Sequence, residues 1–208
     1  LPRRSKRRSL RAYPLARKMI SAIVLAAGKS ERMGRPKALL EFHGRTFLEH
    51  ILDTISRSSI DHTLIVVGHH RLEIENSVRA PSMIFNPDYA QGMITSLQTG
   101  IRALPPASIG AFLFLVDHPV VETETIEAMM PGIARDRIVQ PAFEGRLGHP
   151  VFLGADVLQE ILRLPATQGA DVVVRQDPGR IIEIPVNAPG ILIDVDTPEE
   201  YEKLQQAF

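Results

Sequence analysis

The chain has 208 residues, 44% of them apolar and 23% charged, the proportions of an ordinary globular protein long enough to bury a substantial core. It contains no cysteine, which excludes disulfides and thiolate catalysis and fits a reducing, cytoplasmic setting. Apolar runs such as Ala111 to Val116 are far too short to cross a bilayer, so no membrane partner is expected.

A net charge of zero conceals an asymmetry. Residues 1–18 hold Arg3, Arg4, Lys6, Arg7, Arg8, Arg11, Arg17 and Lys18 and no acid, so the remainder carries a net −8. Such an arm resembles a nucleic-acid-binding tail or a transit peptide in composition. The simpler expectation is a disordered extension over 1–18, no nucleic acid as partner, and one domain over 19–208.

From Met19 the chain alternates short apolar runs with helical periodicity. Ile20–Ala26 reads as a first strand. Phe47, Leu48, Ile51, Leu52 and Ile55 follow Thr46 at helical spacing, with Thr46 as the N-cap. Thr63–Val67 and Met83–Phe85 read as strands, and Gly92–Leu104 as a helix with Met93, Leu97 and Ile101 on one side. Ala111–Val116 is a strand, Glu124–Met130 a helix, Ile138–Gln140 and Val151–Leu153 strands, and Ala155–Leu164 a helix. Ile181–Pro185 and Ile191–Ile193 read as the last strands. A final helix opens at Thr197-Pro198-Glu199-Glu200, with proline in the first turn and acids on the positive helix end. The first strand, Ser21 apart, and the fourth are continuously apolar, as in a parallel sheet covered on both faces. The expected fold is therefore α/β, a mostly parallel sheet with helices on both faces, in which ligands sit beyond the carboxyl ends of the strands.

The loops at those ends carry the chemistry. After the first strand, Ala26-Ala27-Gly28 is small enough for backbone to approach a ligand, and Arg32, Gly34, Arg35 and Lys37 follow. Backbone N–H groups with fixed cations are what a polyphosphate needs. The spacing matches neither a Walker A loop nor a dinucleotide fingerprint. In Asn86-Pro87-Asp88-Tyr89-Ala90-Gln91-Gly92-Met93-Ile94-Thr95-Ser96-Leu97, an open glycine backbone precedes a helix N-terminus. Asp117, closing Phe114-Leu115-Val116, is a carboxylate at the end of an apolar strand, a costly placement unless it is paired or holds a metal. In Ile193-Asp194-Val195-Asp196, alternate residues of a strand face the same way, so both aspartates can converge on one ion. The alternative for Asp196 is a cap of the final helix.

Leu25-Ala26-Ala27-Gly28-x-Ser30-x-Arg32-Met33-Gly34-x-Pro36-Lys37 resembles the signature of MobA-like nucleotidyltransferases, and within them the molybdenum cofactor cytidylyltransferase (MocA-like) branch. Guanylyltransferases of the family usually carry a double glycine where this chain has Ala27-Gly28. The resemblance extends through the segments above and through Gly148-His149-Pro150, from Met19 almost to the C-terminus. It implies the three-layer, Rossmann-like architecture of nucleotide-diphospho-sugar transferases. It also implies nucleotide contacts at Leu25, Ala26, Ala27, Gly28, Arg32, Gly34, Lys37, Asn86, Gly92 and Ser96. Asp117, Asp194 and Asp196 would hold Mg²⁺, and Arg32, Lys37 and Asp117 would be the catalytic set. The acceptor would lie against Arg146, Gly148, His149 and Pro150. The family usually has Met or Gln after the strand-end aspartate. His118 stands there and is not expected to be a ligand, since Mg²⁺ prefers oxygen.

The reaction so implied is Mg²⁺-dependent transfer of CMP from CTP to molybdopterin or its metal-loaded form, with release of pyrophosphate and with a molybdenum hydroxylase as the eventual recipient. The rival expectations are another phosphorylated acceptor with a GTP or CTP donor, a nicotine-blue-type oxidoreductase, and a cofactor-carrying module without turnover.

Overall fold

The computed structural model describes residues 18–80 and 82–207; the expected basic extension falls, apart from Lys18, outside them. In chain order the elements are β1 (Met19–Ala26), β2 (Glu41–Phe42), β3 (Arg45–Thr46), α1 (Phe47–Ser56), β4 (His62–Val67), α2 (Arg71–Ser77) and β5 (Met83–Phe85). Then follow α3 (Met93–Arg102), β6 (Ser108–Leu115), α4 (Thr123–Met129), β7 (Ile138–Phe143), β8 (Arg146–Leu147), β9 (Val151–Gly154), α5 (Ala155–Ile161), α6 (Asp171–Gln176), β10 (Ile181–Pro185) and α7 (Pro198–Ala207). Among the described residues no helix is long and apolar enough to cross a membrane.

The main sheet runs β10-β7-β9-β6-β1-β4-β5, with β8 paired to β7. Strand β1 lies parallel to both neighbours, Val24 standing opposite Ile65 on one side and Phe114 on the other. Only β9 and the short β8 run antiparallel to their partners in this sheet. The expected mostly parallel sheet is therefore what forms. Its chemistry follows from β1: Ala22, Val24 and Ala26 enter one core cluster with Leu48, Ile51 and Ile55 of α1 and Ile126 and Met129 of α4. The intervening Ile23, Leu25 and Ala27 enter the other, with Leu97 and Ile101 of α3 and Val157 and Ile161 of α5. Each such fully buried aliphatic side chain stabilises the fold by roughly 1.5–3 kcal/mol. Hence the strand is apolar from Ala22 to Ala26, and the one polar side chain before that run, the buried Ser21, meets the hydroxyl of Ser108 at 2.8 Å.

From β1 the chain passes outward to β4 and β5, then returns to the other side of β1 as β6. The carboxyl end of β1 is thus the point where strand order reverses, and a crevice opens there.

The helix after Thr46 begins as expected. Thr46 Oγ1 accepts from the Glu49 N–H at 3.2 Å, and Glu49 Oε2 accepts from the Thr46 N–H at 2.8 Å, so two otherwise unpaired donors are satisfied together. One expected strand does not form. Residues Pro189–Leu192 make a 3₁₀ turn, and 193–196 run on without a ladder partner. Buried Gly190 permits this, because a Cβ there would lie 2.3 Å from the Val120 carbonyl oxygen; the segment packs down onto the loop after β6 instead of joining the sheet edge. The short helices α2 and α6 and the Glu41–Thr46 hairpin were not expected from periodicity.

Candidate active site

The loop leaving β1 is organised by Ser30. Its carbonyl accepts from the N–H groups of Met33 and Gly34 at 3.1 and 3.0 Å, and its hydroxyl accepts from the Lys37 N–H at 3.2 Å. This closes the loop over one turn and starts the 3₁₀ turn Lys37–Leu39, which aims Lys37 back toward the sheet. The ammonium of Lys37, on a side chain only 11% exposed, sits between two carboxylates. It donates to Asp117 Oδ2 at 3.2 Å and to Asp196 Oδ1. Arg32 donates to the other oxygen of Asp196.

Asp117 follows β6, the strand beside β1. The N–H of Val195 donates to its carbonyl at 3.0 Å, and the Val195 side chain is buried against Phe47 and Leu204. That anchorage brings the flanking Asp194 and Asp196 to the end of β6 without a strand. The capping alternative for Asp196 falls to its neighbour: Thr197 Oγ1 accepts from the Glu200 N–H at 3.3 Å, while Glu200 Oε2 accepts from the N–H groups of Asp196 and Thr197 at 2.8 and 2.9 Å. The Asp196 carboxylate is left to the two cations, and hydrogen bonding from Lys37, then the charges of Lys37 and Arg32, hold it below its ordinary range.

Asp194 behaves oppositely. Residue 194 is exposed as a whole, yet its carboxyl is partly desolvated and faces Asp117 and Asp196, which together raise it above the usual carboxylate range. One ligand atom each of Asp117, His118 and Asp194 lie within 4.8 Å of one another. Asp117 Oδ1 and His118 Nδ1 are buried without a hydrogen-bond partner. A divalent cation would satisfy the orphaned oxygen and relieve the like-charge repulsion. The residues that could hold a metal are therefore Asp117, Asp194 and the unexpected His118. Asp196, from the same expected set, is instead engaged by Lys37 and Arg32.

A cleft of about 520 Å³ opens beside this group. Leu25, Ala26, Ala27, Gly28, Arg32, Lys37, Gly92 and Ser96 line it as the sequence suggests, with Asp117 and Asp196 at one end. Gly34 and Asn86 do not. Gly34 takes φ +73° in the loop turn, and Asn86 is buried beneath the wall, its Nδ2 donating at 2.9 Å to the hydroxyls of both Thr95 and Ser96 and its Oδ1 accepting from the Asp88 N–H at 3.0 Å. Gly92 opens α3 at φ +119°, ψ 161°, a region essentially closed to residues with a Cβ. Sequence reasoning missed Tyr89 and Met93 in this wall and left His70 undecided. His70 joins it through a hydrogen bond with the Lys29 carbonyl at 3.0 Å and another with Glu73 at 2.8 Å. An exposed Met93 at a helix start was the available signal.

The four expected acceptor residues separate. Arg146 is exposed on β8, Pro150 is buried, and Gly148 packs so tightly that a Cβ would lie 2.4 Å from the Ile191 carbonyl oxygen. None lines the cleft. His149 is mostly buried, its ring 4.6 Å from that of His118. Burial, then the neighbouring His118, lowers its pKa to about 4, so it is neutral near pH 7.

The MobA-like NTP transferase domain matches residues 22–181 of the chain. Molybdenum cofactor cytidylyltransferase of Escherichia coli (strain K12) is 28% identical over 195 residues, which cover 91% of this chain and 97% of that protein. Nicotine blue oxidoreductase of Paenarthrobacter nicotinovorans is 27% identical over 196 residues, covering 89% and 96%. The crystal structure of Rv0371c from Mycobacterium tuberculosis H37Rv superposes with a TM-score of 0.79 at 25% identity, covering 91% of this chain and 99% of that one. The chain belongs to the MobA-like NTP transferase domain family and is a nucleotidyltransferase.

Proposed function

We propose that the chain transfers CMP from CTP to a molybdopterin-type acceptor and releases pyrophosphate, with a divalent cation as cofactor. The observation that carries this reading is that the carboxylates of Asp117 and Asp194 gather beside the Lys37 ammonium, with Lys37 and Asp117 both lining the cleft. Binding alone does not require carboxylates beside an anionic ligand. Phosphoryl transfer does, because they hold the cation that neutralises it.

The backbone of Leu25–Gly28 takes the nucleoside end of CTP, with Gly92 and Ser96 opposite and Asn86 fixing Ser96 from below. Lys37 and Arg32 exchange their carboxylate partners in part for phosphate oxygens. An oxygen of the acceptor's terminal phosphate forms a bond to the α-phosphorus; the bond from that phosphorus to the bridging oxygen breaks, and pyrophosphate departs with the electron pair. The attacking phosphate is already ionised near neutral pH, so no general base is needed, and catalysis reduces to alignment and charge neutralisation. Lys37 and Arg32 stabilise the leaving pyrophosphate. Asp117 and Asp194 would hold a divalent cation, which would supply further neutralisation of phosphate charge. The preference for CTP rests on Ala27, whose methyl stands where guanylyltransferases of the family usually have glycine. The similarity to the cytidylyltransferase of Escherichia coli supports both donor and acceptor.

The test is pyrophosphate release by the purified protein with each NTP, with and without molybdopterin. CTP-specific release that requires the acceptor supports the reading; equal release with GTP, or release that ignores molybdopterin, overturns donor or acceptor respectively.

A further inference from the structure

Taken beyond the reading above, on which it rests for the presence of a cation, the donor set carries information about which cation. Among the described residues one group of three His, Asp or Glu side chains gathers its ligand atoms within 4.8 Å, and its middle member is His118. Residue His118 as a whole is 9% exposed, a degree of burial at which polar side-chain atoms normally find partners. Its Nδ1 has none. Beside it, Asp117 Oδ1 is equally orphaned. Two buried atoms without hydrogen-bond partners on adjacent residues, with a carboxylate of Asp194 within 4.8 Å, form a group that one shared cation would satisfy.

The ring cannot easily turn away. His149 packs against it at 4.6 Å between centroids and 38° between planes, and the backbone N–H of His118 donates to the Leu115 carbonyl at 3.1 Å. The backbone thus fixes where the imidazole projects, immediately after the strand end that projects Asp117.

We propose that His118 is a metal ligand, which makes this a carboxylate–imidazole–carboxylate site selective for Mn²⁺ over Mg²⁺. Imidazole contributes little to binding Mg²⁺, which is a hard ion that dehydrates reluctantly. It binds first-row transition ions well, while two carboxylates keep the site hard enough for Mn²⁺.

The experiment loads the full-length protein with Mn²⁺ and reads ¹⁴N coupling to the ion by pulsed electron paramagnetic resonance, with Mn²⁺ and Mg²⁺ affinities measured on the same samples. The wild type shows a directly bound imidazole nitrogen. His118→Gln still binds Mn²⁺ through the aspartates, loses the nitrogen signal, and loses at least about tenfold of its preference for Mn²⁺ over Mg²⁺. His149→Gln keeps the signal. Because His118 is buried, His118→Asn serves as a second variant should the first not fold. The proposal is overturned if the wild type binds Mn²⁺ without ¹⁴N coupling, if it binds no Mn²⁺, or if the coupling persists in both His118 variants. These outcomes are separate from turnover: a nitrogen-coupled site without CTP-dependent pyrophosphate release sinks the proposed reaction and leaves the ligand assignment standing.

Discussion

Lys37 and Asp117, 80 residues apart in sequence, meet through a 3.2 Å hydrogen bond from Nζ to Oδ2. The same ammonium also engages Asp196. One nearly buried cation therefore joins the loop after β1, the end of β6 and the segment before α7. Lys37→Met is expected to lower kcat by about a hundredfold or more, the usual loss when one such electrostatic contact is removed. It also frees Asp196, whose carboxyl should titrate upward toward its ordinary range; carboxyl NMR titration reads this directly, and an unmoved Asp196 would detach it from Lys37.

The two late aspartates should behave differently. Asp194→Asn removes a candidate ligand and is expected to weaken divalent metal binding by at least about tenfold. Asp196→Asn leaves the ligand group intact and instead loosens Lys37 and Arg32, raising KM for the nucleotide with little change in metal affinity. Isothermal titration with metal alone, followed by kinetics, separates them. Equal loss of metal affinity in both variants would put Asp196 back among the ligands.

Asn86 never reaches the cleft, yet it supports the wall that does. Asn86→Ala removes the amide that donates to Ser96 and accepts from the Asp88 N–H, while Thr95 keeps its bonds to the Asp88 and Gly92 carbonyls; an unsatisfied buried group costs about 1–3 kcal/mol. Urea denaturation should show a loss in that range, and nucleotide affinity should fall with it because Ser96 is no longer held.

The capping box of α1 gives a pH signature. Hydrogen bonds from the Thr46 N–H, then from its hydroxyl, hold Glu49 below its ordinary carboxylate range. A carboxyl with a lowered native pKa contributes stability that is complete above its unfolded value, near 4.5, and that disappears as pH falls through the native value. Thr46→Ala should therefore cost about 1 kcal/mol near pH 7, and the difference from wild type should shrink in acid. Denaturant midpoints at pH 7 and pH 3 check this, and a gap that does not change with pH would remove Glu49 from the account.

Most of the fold was legible because β1 and β6 carry unbroken apolar runs, Ala22–Ala26 and Ala111–Leu115, a pattern only a strand covered on both faces tolerates. The nucleotide loop was legible for a related reason: small residues and cations at a strand end have few other uses. The last expected strand failed because Ile191–Ile193 has strand-like composition but lies beside Gly190, where backbone meets backbone; that proximity is tertiary and leaves no local mark. His118 was passed over because the expectation of Mg²⁺ came first and the ligand was judged by the ion. The acceptor residues were the least legible. Gly148 is needed for packing against Ile191 and Arg146 for nothing visible in the cleft, and the two look alike in a hairpin sequence.

The claim on which the rest depends is that Asp117 stands at the reacting phosphates. Asp117→Asn changes one oxygen to an amide nitrogen without altering size, so the protein should fold with an unchanged circular dichroism spectrum and thermal midpoint near that of the wild type. Acceptor-dependent pyrophosphate release from CTP by this variant is predicted to fall at least about a hundredfold. Near-normal turnover by the folded variant would contradict the account at its centre.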